Sequence, residues 1–297
     1  MAYTRLSDAN EITARYMDSI LIKERLIDSV KADVKTMLLG ENFDSPVMTP
    51  AFSHLSCFGG RETDGLTEYS LAAKQCNILN FVGMMENDRF QKIVETGAKT
   101  IRIVKPYADN RKVRDQFRFA EEAGAFGIGM DIDHIFGTTG YDIVVGEEMA
   151  AQTTEMLRSY VESTKLPFVV KGVLSVSDAV KCAEIGVKAI LVSHHHGRLP
   201  YAVPPLMILP EIKKALKGSG VQIFVDCGIA SGADVYKALA LGADAAAVGR
   251  SMLPSLEKDG TPGVVKFLKD VSDELRFIMS STGFASVETI DDSALYR

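Results

Sequence analysis

Short apolar runs alternate with helical stretches eight times along this chain, and that alternation restricts the fold more than any other feature. The runs lie at 46–51, 78–82, 100–104, 127–131, 167–171, 189–193, 222–226 and 245–249. Between them, 65–75, 87–96, 110–123, 145–164, 177–185, 207–217 and 232–241 repeat apolar residues at helical spacing, and 262–281 follows the last run. Strands separated by helices in this way are parallel and joined by right-handed crossovers. Eight of them, with Gly97, Gly124, Gly186 and Gly242 closing helices, point to an α/β fold of the (β/α)8 TIM barrel type rather than an open doubly wound sheet. An N-terminal helical extension over 1–40 precedes the barrel, with Ile12, Tyr16, Ile20 and Leu21 marking a helix at 10–30. No linker or low-complexity stretch interrupts the 297 residues, so one domain over 1–297 is expected.

Composition narrows the partners. A hydrophobic content of 46% with 24% charged residues supplies a sizeable core. A formal net charge of −6, with lysines dispersed, argues against nucleic acid. No apolar run reaches bilayer length, and residues 3–8 lack the apolar core of a signal peptide. Cys57, Cys76, Cys182 and Cys227 form no CxxC pair, a spacing that fits reduced thiols in a cytoplasmic protein.

The chemistry gathers where the apolar runs stop. In a barrel, the C-terminal tips of the strands hold the catalytic side chains. The sixth run ends in Ser193-His194-His195-His196-Gly197-Arg198, which contains three of the five histidines. A metal is not expected there, because neighbouring side chains on an extended chain point to opposite faces. The fifth run ends in Lys171, placed to stabilise a developing anion unless it merely snorkels to solvent. Asp131 ends the fourth run, with Asp133 and His134 just beyond, and Lys105-Pro106-Tyr107 follows the third. Pro50-Ala51 closes the first with small residues, against which a flat ring can lie. The last two runs end in glycine-bearing turns, Asp226-Cys227-Gly228 and Gly249-Arg250-Ser251. Glycine lets backbone amides approach an anion, a following helix N-terminus adds positive potential, and Arg250 adds a charged fork. Two such turns in adjacent units point to a phosphate-bearing ligand; either alone reads equally well as a tight turn. Segments 59–64 and 199–205 are expected as loops over the same face, and His54 stays unassigned.

At these residues the sequence resembles the FMN-dependent α-hydroxy-acid oxidase and dehydrogenase family, to which glycolate and lactate oxidases belong. The similarity runs from Leu39 to Ser251 and is strongest in VKGVLSVSDAVKCAEIGVKAILVS, LPEIKKAL and DVYKALALGADAAAVGR. The resemblance implies an FMN cofactor and oxidation of a small 2-hydroxy acid by hydride transfer to flavin N5. It assigns the base to His195, in the motif opened by Ser193, and the substrate carboxylate to Arg198 and Tyr107. Asp131 then pairs with the imidazole, and Lys171 lies beside flavin N1. Thr49, Pro50 and Ala51 form the strip beneath the ring, Gly83 sits near a ring contact, and Lys105 replaces a ring-binding glutamine. Asp226, Gly228, Gly249 and Arg250 belong to the phosphate end, and a homo-oligomer is implied.

The chain departs from the family pattern in five places. His194 and His196 replace an asparagine and a glycine, and Ala230 stands where an arginine binds phosphate. No arginine follows Asp131 closely, since Thr138 and Thr139 occupy that region, and an N-terminal substrate tyrosine has no counterpart. Two alternatives therefore stay open. One is an FMN-dependent ene-reductase or an isomerase like type 2 isopentenyl diphosphate isomerase; the other is a barrel that binds a phosphate ligand without redox chemistry.

Overall fold

The structure, a computed structural model, describes residues 8–55 and 60–297. Cys57, and Gly59 at the start of the expected loop 59–64, lie outside the described residues. The barrel strands are β1 (Val47–Met48), β2 (Asn80–Val82), β3 (Thr100–Val104), β4 (Gly127–Asp131), β5 (Phe168–Val173), β6 (Ala189–Val192), β7 (Gln222–Val225) and β8 (Ala245–Ala247). They follow one another around the sheet as β1-β8-β7-β6-β5-β4-β3-β2, and every neighbouring pair is parallel. The helices are α1 (Ala9–Ser19), α2 (Gly65–Gln75), α3 (Asn87–Glu95), α4 (Asn110–Ala123), α5 (Thr154–Glu162), α6 (Val176–Glu184), α7 (Pro205–Ala215), α8 (Gly232–Ala240) and α9 (Leu253–Ser281). The architecture is the (β/α)8 TIM barrel that the alternation of strands and helices implies.

One backbone bond and the Thr49 side chain, rather than a ladder, join β1 to β2 at their seam. Thr49 N donates to Leu79 O at 3.2 Å, and Phe81 N donates to Thr49 Oγ1 at 2.8 Å. The same hydroxyl donates to Asn80 Oδ1, whose amide in turn reaches Ser70 and Thr100. All four side chains are buried, so each polar group finds its partner within the cluster. The Thr49 hydroxyl is thus engaged within the barrel wall.

Period-two alternation sorts each strand into two faces. Phe81, Ile103, Val169, Leu191, Phe224 and Ala247 fill the barrel interior, while Val104, Met130, Val170, Val192 and Val225 pack outward against the helices. Below, the hairpin Thr36–Leu38 with Glu41–Phe43 plugs the interior with Leu38 and Phe43. At the upper end the same alternation sends the next inward position into the mouth. Gly83, Lys105, Asp131, Lys171, Ser193, Asp226 and Gly249 each stand two residues beyond an inward one.

Three expected helices differ. The helix expected at 10–30 ends at Ser19; residues 23–31 are exposed on every side, so a helix there has no face to bury. Instead Leu21–Ile22 pairs antiparallel with Leu295–Tyr296. The helix expected at 145–164 begins only at Thr154, because Val145 (φ 50) and Gly146 (φ 78) make the turn of a small hairpin, Ile143–Val144 with Glu147–Glu148. The last helix begins at Leu253 rather than 262 and breaks at Gly260, where φ is 60°. Among the described residues no helix is long and apolar enough to cross a membrane.

Candidate active site

The buried charges at the barrel mouth form one cluster. Lys105 Nζ lies 2.7 Å from Asp131 Oδ2, and Lys171 Nζ lies 3.7 Å from both Asp131 Oδ1 and Asp133 Oδ2. His195 is held from two sides: its backbone N donates to Ser193 Oγ at 3.0 Å, and its Nδ1 lies 2.5 Å from Asp133 Oδ1. Asp131 Oδ2 is farther from that nitrogen, at 3.4 Å. The ring of His134 meets that of His195 edge-on at 5.2 Å.

Electrostatics assigns the charge states. Burial opposes ionisation of Asp131, but Lys171 and Lys105 outweigh it and hold the carboxyl well below its usual range. Burial pushes Asp133 up to about 6, and the Asp131 charge adds to that push against Lys171. Burial and Lys171 both work against a charged His195, yet Asp131 and Asp133 outweigh them and raise its pKa. For Lys171 burial is likewise overcome by Asp131 and Asp133, which keep it protonated. Asp131, Asp133 and His195 lie close enough to share a cation, but the two ammonium groups already supply positive charge there.

Two cavities adjoin this cluster and share Ala51, Phe52 and His195. The smaller, about 230 Å³, is lined by Gly83, Lys105, Asp131 and His134 among others. The larger, about 340 Å³, runs past Pro50, Lys171 and Asp226 to Gly228, Gly249 and Arg250. At Gly83 a Cβ would come within 2.5 Å of Ser53 Oγ and 2.8 Å of Ala51 O, so only glycine lets these strand ends approach. A Cβ at Gly249, in contrast, would meet nothing within 4 Å and would project into the cavity. Helix α1 roofs the far end: a Cβ at Gly228 would meet Met17 Sδ at 2.7 Å. His194 fastens the roof. Gly197 N donates to its Nδ1, so its Nε2 carries the proton and donates to Thr13 Oγ1 at 2.9 Å. Asn10 Nδ2 adds a donation to His196 O at 3.2 Å.

Two expected substrate contacts are not brought into these cavities. Tyr107 N donates to Lys105 O, so the strand has turned by Pro106 and the alternation that aims Lys105 inward no longer applies. The Tyr107 ring lies under Lys112 of α4 and lines a neighbouring cavity of about 660 Å³. Arg198 lines neither of the two cavities. Its Nη2 donates to Asp142 Oδ2 at 2.7 Å and to Phe136 O, and its Nη1 donates to His134 Nε2 at 2.9 Å. His134 Nδ1 faces the same Asp142 oxygen at 2.8 Å. Burial lowers the His134 pKa to about 4, with Lys105 and Arg198 adding to the effect, so the ring is neutral. Sequence reasoning did not assign Asp133, His134 or Asp142; for the first two, proximity to Asp131 is a signal, while Asp142 has none.

A flavin mononucleotide suits these residues. An elongated path joins a glycine-lined end, where Arg250 is exposed, to a cationic end where buried Lys171 faces carboxylate atoms lacking a hydrogen-bond partner, Asp131 Oδ1 and Asp133 Oδ2. The profile of the FMN-dependent dehydrogenase family matches residues 5–142 and 138–297. A peroxisomal (S)-2-hydroxyacid oxidase of Arabidopsis thaliana is 28% identical over 89% of this chain and 81% of its own length. A 4-hydroxymandelate oxidase of Amycolatopsis orientalis is 43% identical over 47% of this chain and 39% of its own. Among solved structures, a mandelate oxidase variant with (S)-mandelic acid superposes with a TM-score of 0.86 at 27% identity, covering 98% of this chain and 90% of that one. The same variant, solved with a C4a-OH-FMN adduct, superposes with a TM-score of 0.83 at 27% identity, covering 95% of this chain and 91% of that one. With family profile, barrel and cofactor path in agreement from one end of the sequence to the other, this chain belongs to the FMN-dependent dehydrogenases and is an FMN-dependent hydroxy-acid oxidoreductase.

Proposed function

We propose that this enzyme oxidises a small 2-hydroxy acid, with His195 as the base that takes the hydroxyl proton. One observation carries the reading. His195 lies where the two cavities meet, its Nδ1 engaged by Asp133, while its Nε2 has no hydrogen-bond partner among the described residues. An imidazole so held offers Nε2 to a hydroxyl, and nearby carboxylates stabilise the cation it becomes.

Bound FMN supplies the two-electron acceptor. Pro50 and Ala51 would line its ring, Lys171 would balance negative charge at the ring edge, and Gly228, Gly249 and Arg250 would hold the phosphate. Arg198 binds the substrate carboxylate once Asp142 releases it. The carboxylate already on its guanidinium supports this role, since Nη2 donates to one Asp142 oxygen at 2.7 Å. The reading includes a cytoplasmic location, in keeping with free thiols at Cys76, Cys182 and Cys227, and a homo-oligomer, in keeping with exposed Phe136, Ile143 and Leu199.

An anaerobic visible spectrum tests the oxidation. Addition of a 2-hydroxy acid is expected to bleach the flavin bands. A flavin that dithionite reduces but no 2-hydroxy acid bleaches would transfer the site to the second reading, an FMN-dependent reductase or isomerase. That reading draws on the engagement of Arg198 by Asp142.

A further inference from the structure

We propose that Asp133, rather than Asp131, is the carboxylate that positions His195 and balances the charge its ring gains, and that Gly172 makes this arrangement possible. The proposal rests on the reading of His195 as the base. Distance favours Asp133: 2.5 Å to Nδ1, against 3.4 Å for Asp131. Asp131 is also committed elsewhere, since Lys105 takes the oxygen nearer the imidazole at 2.7 Å. An ionised carboxylate only accepts hydrogen bonds, so Nδ1 carries the proton and Nε2 is left as the free, basic nitrogen.

The backbone opposite explains how a second carboxylate fits. The β5–β6 register shifts between Lys171 and Val173, leaving Gly172 in a bulge with φ 93. A Cβ there would lie 2.5 Å from Asp133 Oδ2 and 2.7 Å from Asp133 Cβ. Any other residue at 172 would therefore displace Asp133 as well as strain the bulge. The two carboxylates then divide the work: Asp131 neutralises the lysines beneath the site, and Asp133 serves the imidazole. Lys105, Lys171, Asp131, Asp133, His134 and His196 are the ionisable groups facing His195 from the surrounding strand ends and loops.

The test follows His195 itself, by 15N NMR titration of FMN-loaded, histidine-labelled protein, with the resonance assigned by its loss in His195→Gln. In Asp133→Asn the midpoint of His195 is expected to fall by about one pH unit, a tenfold loss of proton affinity. Flavin reduction should slow about 10- to 100-fold with KM nearly unchanged, and Asp133→Glu should recover part of both losses. A folded Asp133→Asn protein with an unchanged His195 midpoint would overturn the proposal. Should that variant not fold, the parent decides: neutral His195 protonated on Nδ1 supports the assignment, and neutral His195 protonated on Nε2 refutes it. Failure of 2-hydroxy acids to bleach the flavin would sink the reading of the reaction and leave this titration intact, so the two failures are distinguishable.

Discussion

Arg198 and Asp142, 56 residues apart in the chain, meet at 2.7 Å and tie the hairpins beyond β4 to the loop beyond β6. His134 closes the triangle, with one ring nitrogen toward each partner. A substrate carboxylate that binds Arg198 competes with the Asp142 carboxylate for its Nη2. Asp142→Asn should remove the competing charge and lower KM for 2-hydroxy acids about fivefold, equivalent to about 1 kcal/mol, while kcat stays within about twofold. Steady-state kinetics on the two proteins checks this, and an unchanged KM would detach Arg198 from substrate binding.

The same triangle predicts how stability depends on pH. The folded pKa of His134 is about 4, below the ordinary value of 6.5. Between those values the unfolded chain takes up a proton that the folded one refuses, so this contribution is complete above pH 6.5 and lost as pH falls toward 4. His134→Gln should flatten that part of the profile. Melting temperatures at pH 7 and pH 4.5 would show a smaller difference in the variant than in the parent.

Removal of the base should separate binding from chemistry. His195→Ala is expected to retain the flavin and to slow its anaerobic reduction by 2-hydroxy acids by about 100-fold or more. Stopped-flow recording of the visible flavin absorbance measures both. A variant that bleaches at the parent rate returns the base assignment to the other groups at the mouth.

Gly249 tests the phosphate end without disturbing the core. A Cβ there meets no protein atom within 4 Å, so Gly249→Ala adds bulk at the cavity and not in the core. Affinity for FMN should fall by about tenfold, or about 1.4 kcal/mol. Fluorescence titration with FMN reports the affinity directly, and parental affinity in the variant would move the phosphate elsewhere.

Lys105 and Asp131, 2.7 Å apart, form the closest lysine–carboxylate pair of the mouth, and both are buried. Lys105→Met strips Asp131 of its nearer partner while leaving Lys171. Loss of one member of such a pair should destabilise the flavin-free protein by about 3 kcal/mol, readable by urea denaturation.

The barrel was legible because alternation at period two and spacing at period 3.6 are local properties. β4 spans 127–131 as expected, and the inward positions of β3 to β8 carry the residues expected at the mouth. Where no local pattern decides, expectation and structure part. The apolar run Ile143-Val144-Val145 fits a helix start, but a two-residue turn makes it a hairpin. Tyr107 keeps the parity of Lys105 in sequence and loses it in space, because the chain turns at Pro106. The capture of Arg198 by Asp142 and the seating of Asp133 on Gly172 are contacts between distant segments, and neither residue spacing nor composition encodes them.

Helix α1 lies across the glycine turn at the far end of the cofactor path, pinned by Thr13 to His194, by Asn10 to His196 and by Met17 O to Lys237. Loosening α1, as by Thr13→Ala, is therefore expected to speed the loss of colour from a barrel that stays folded.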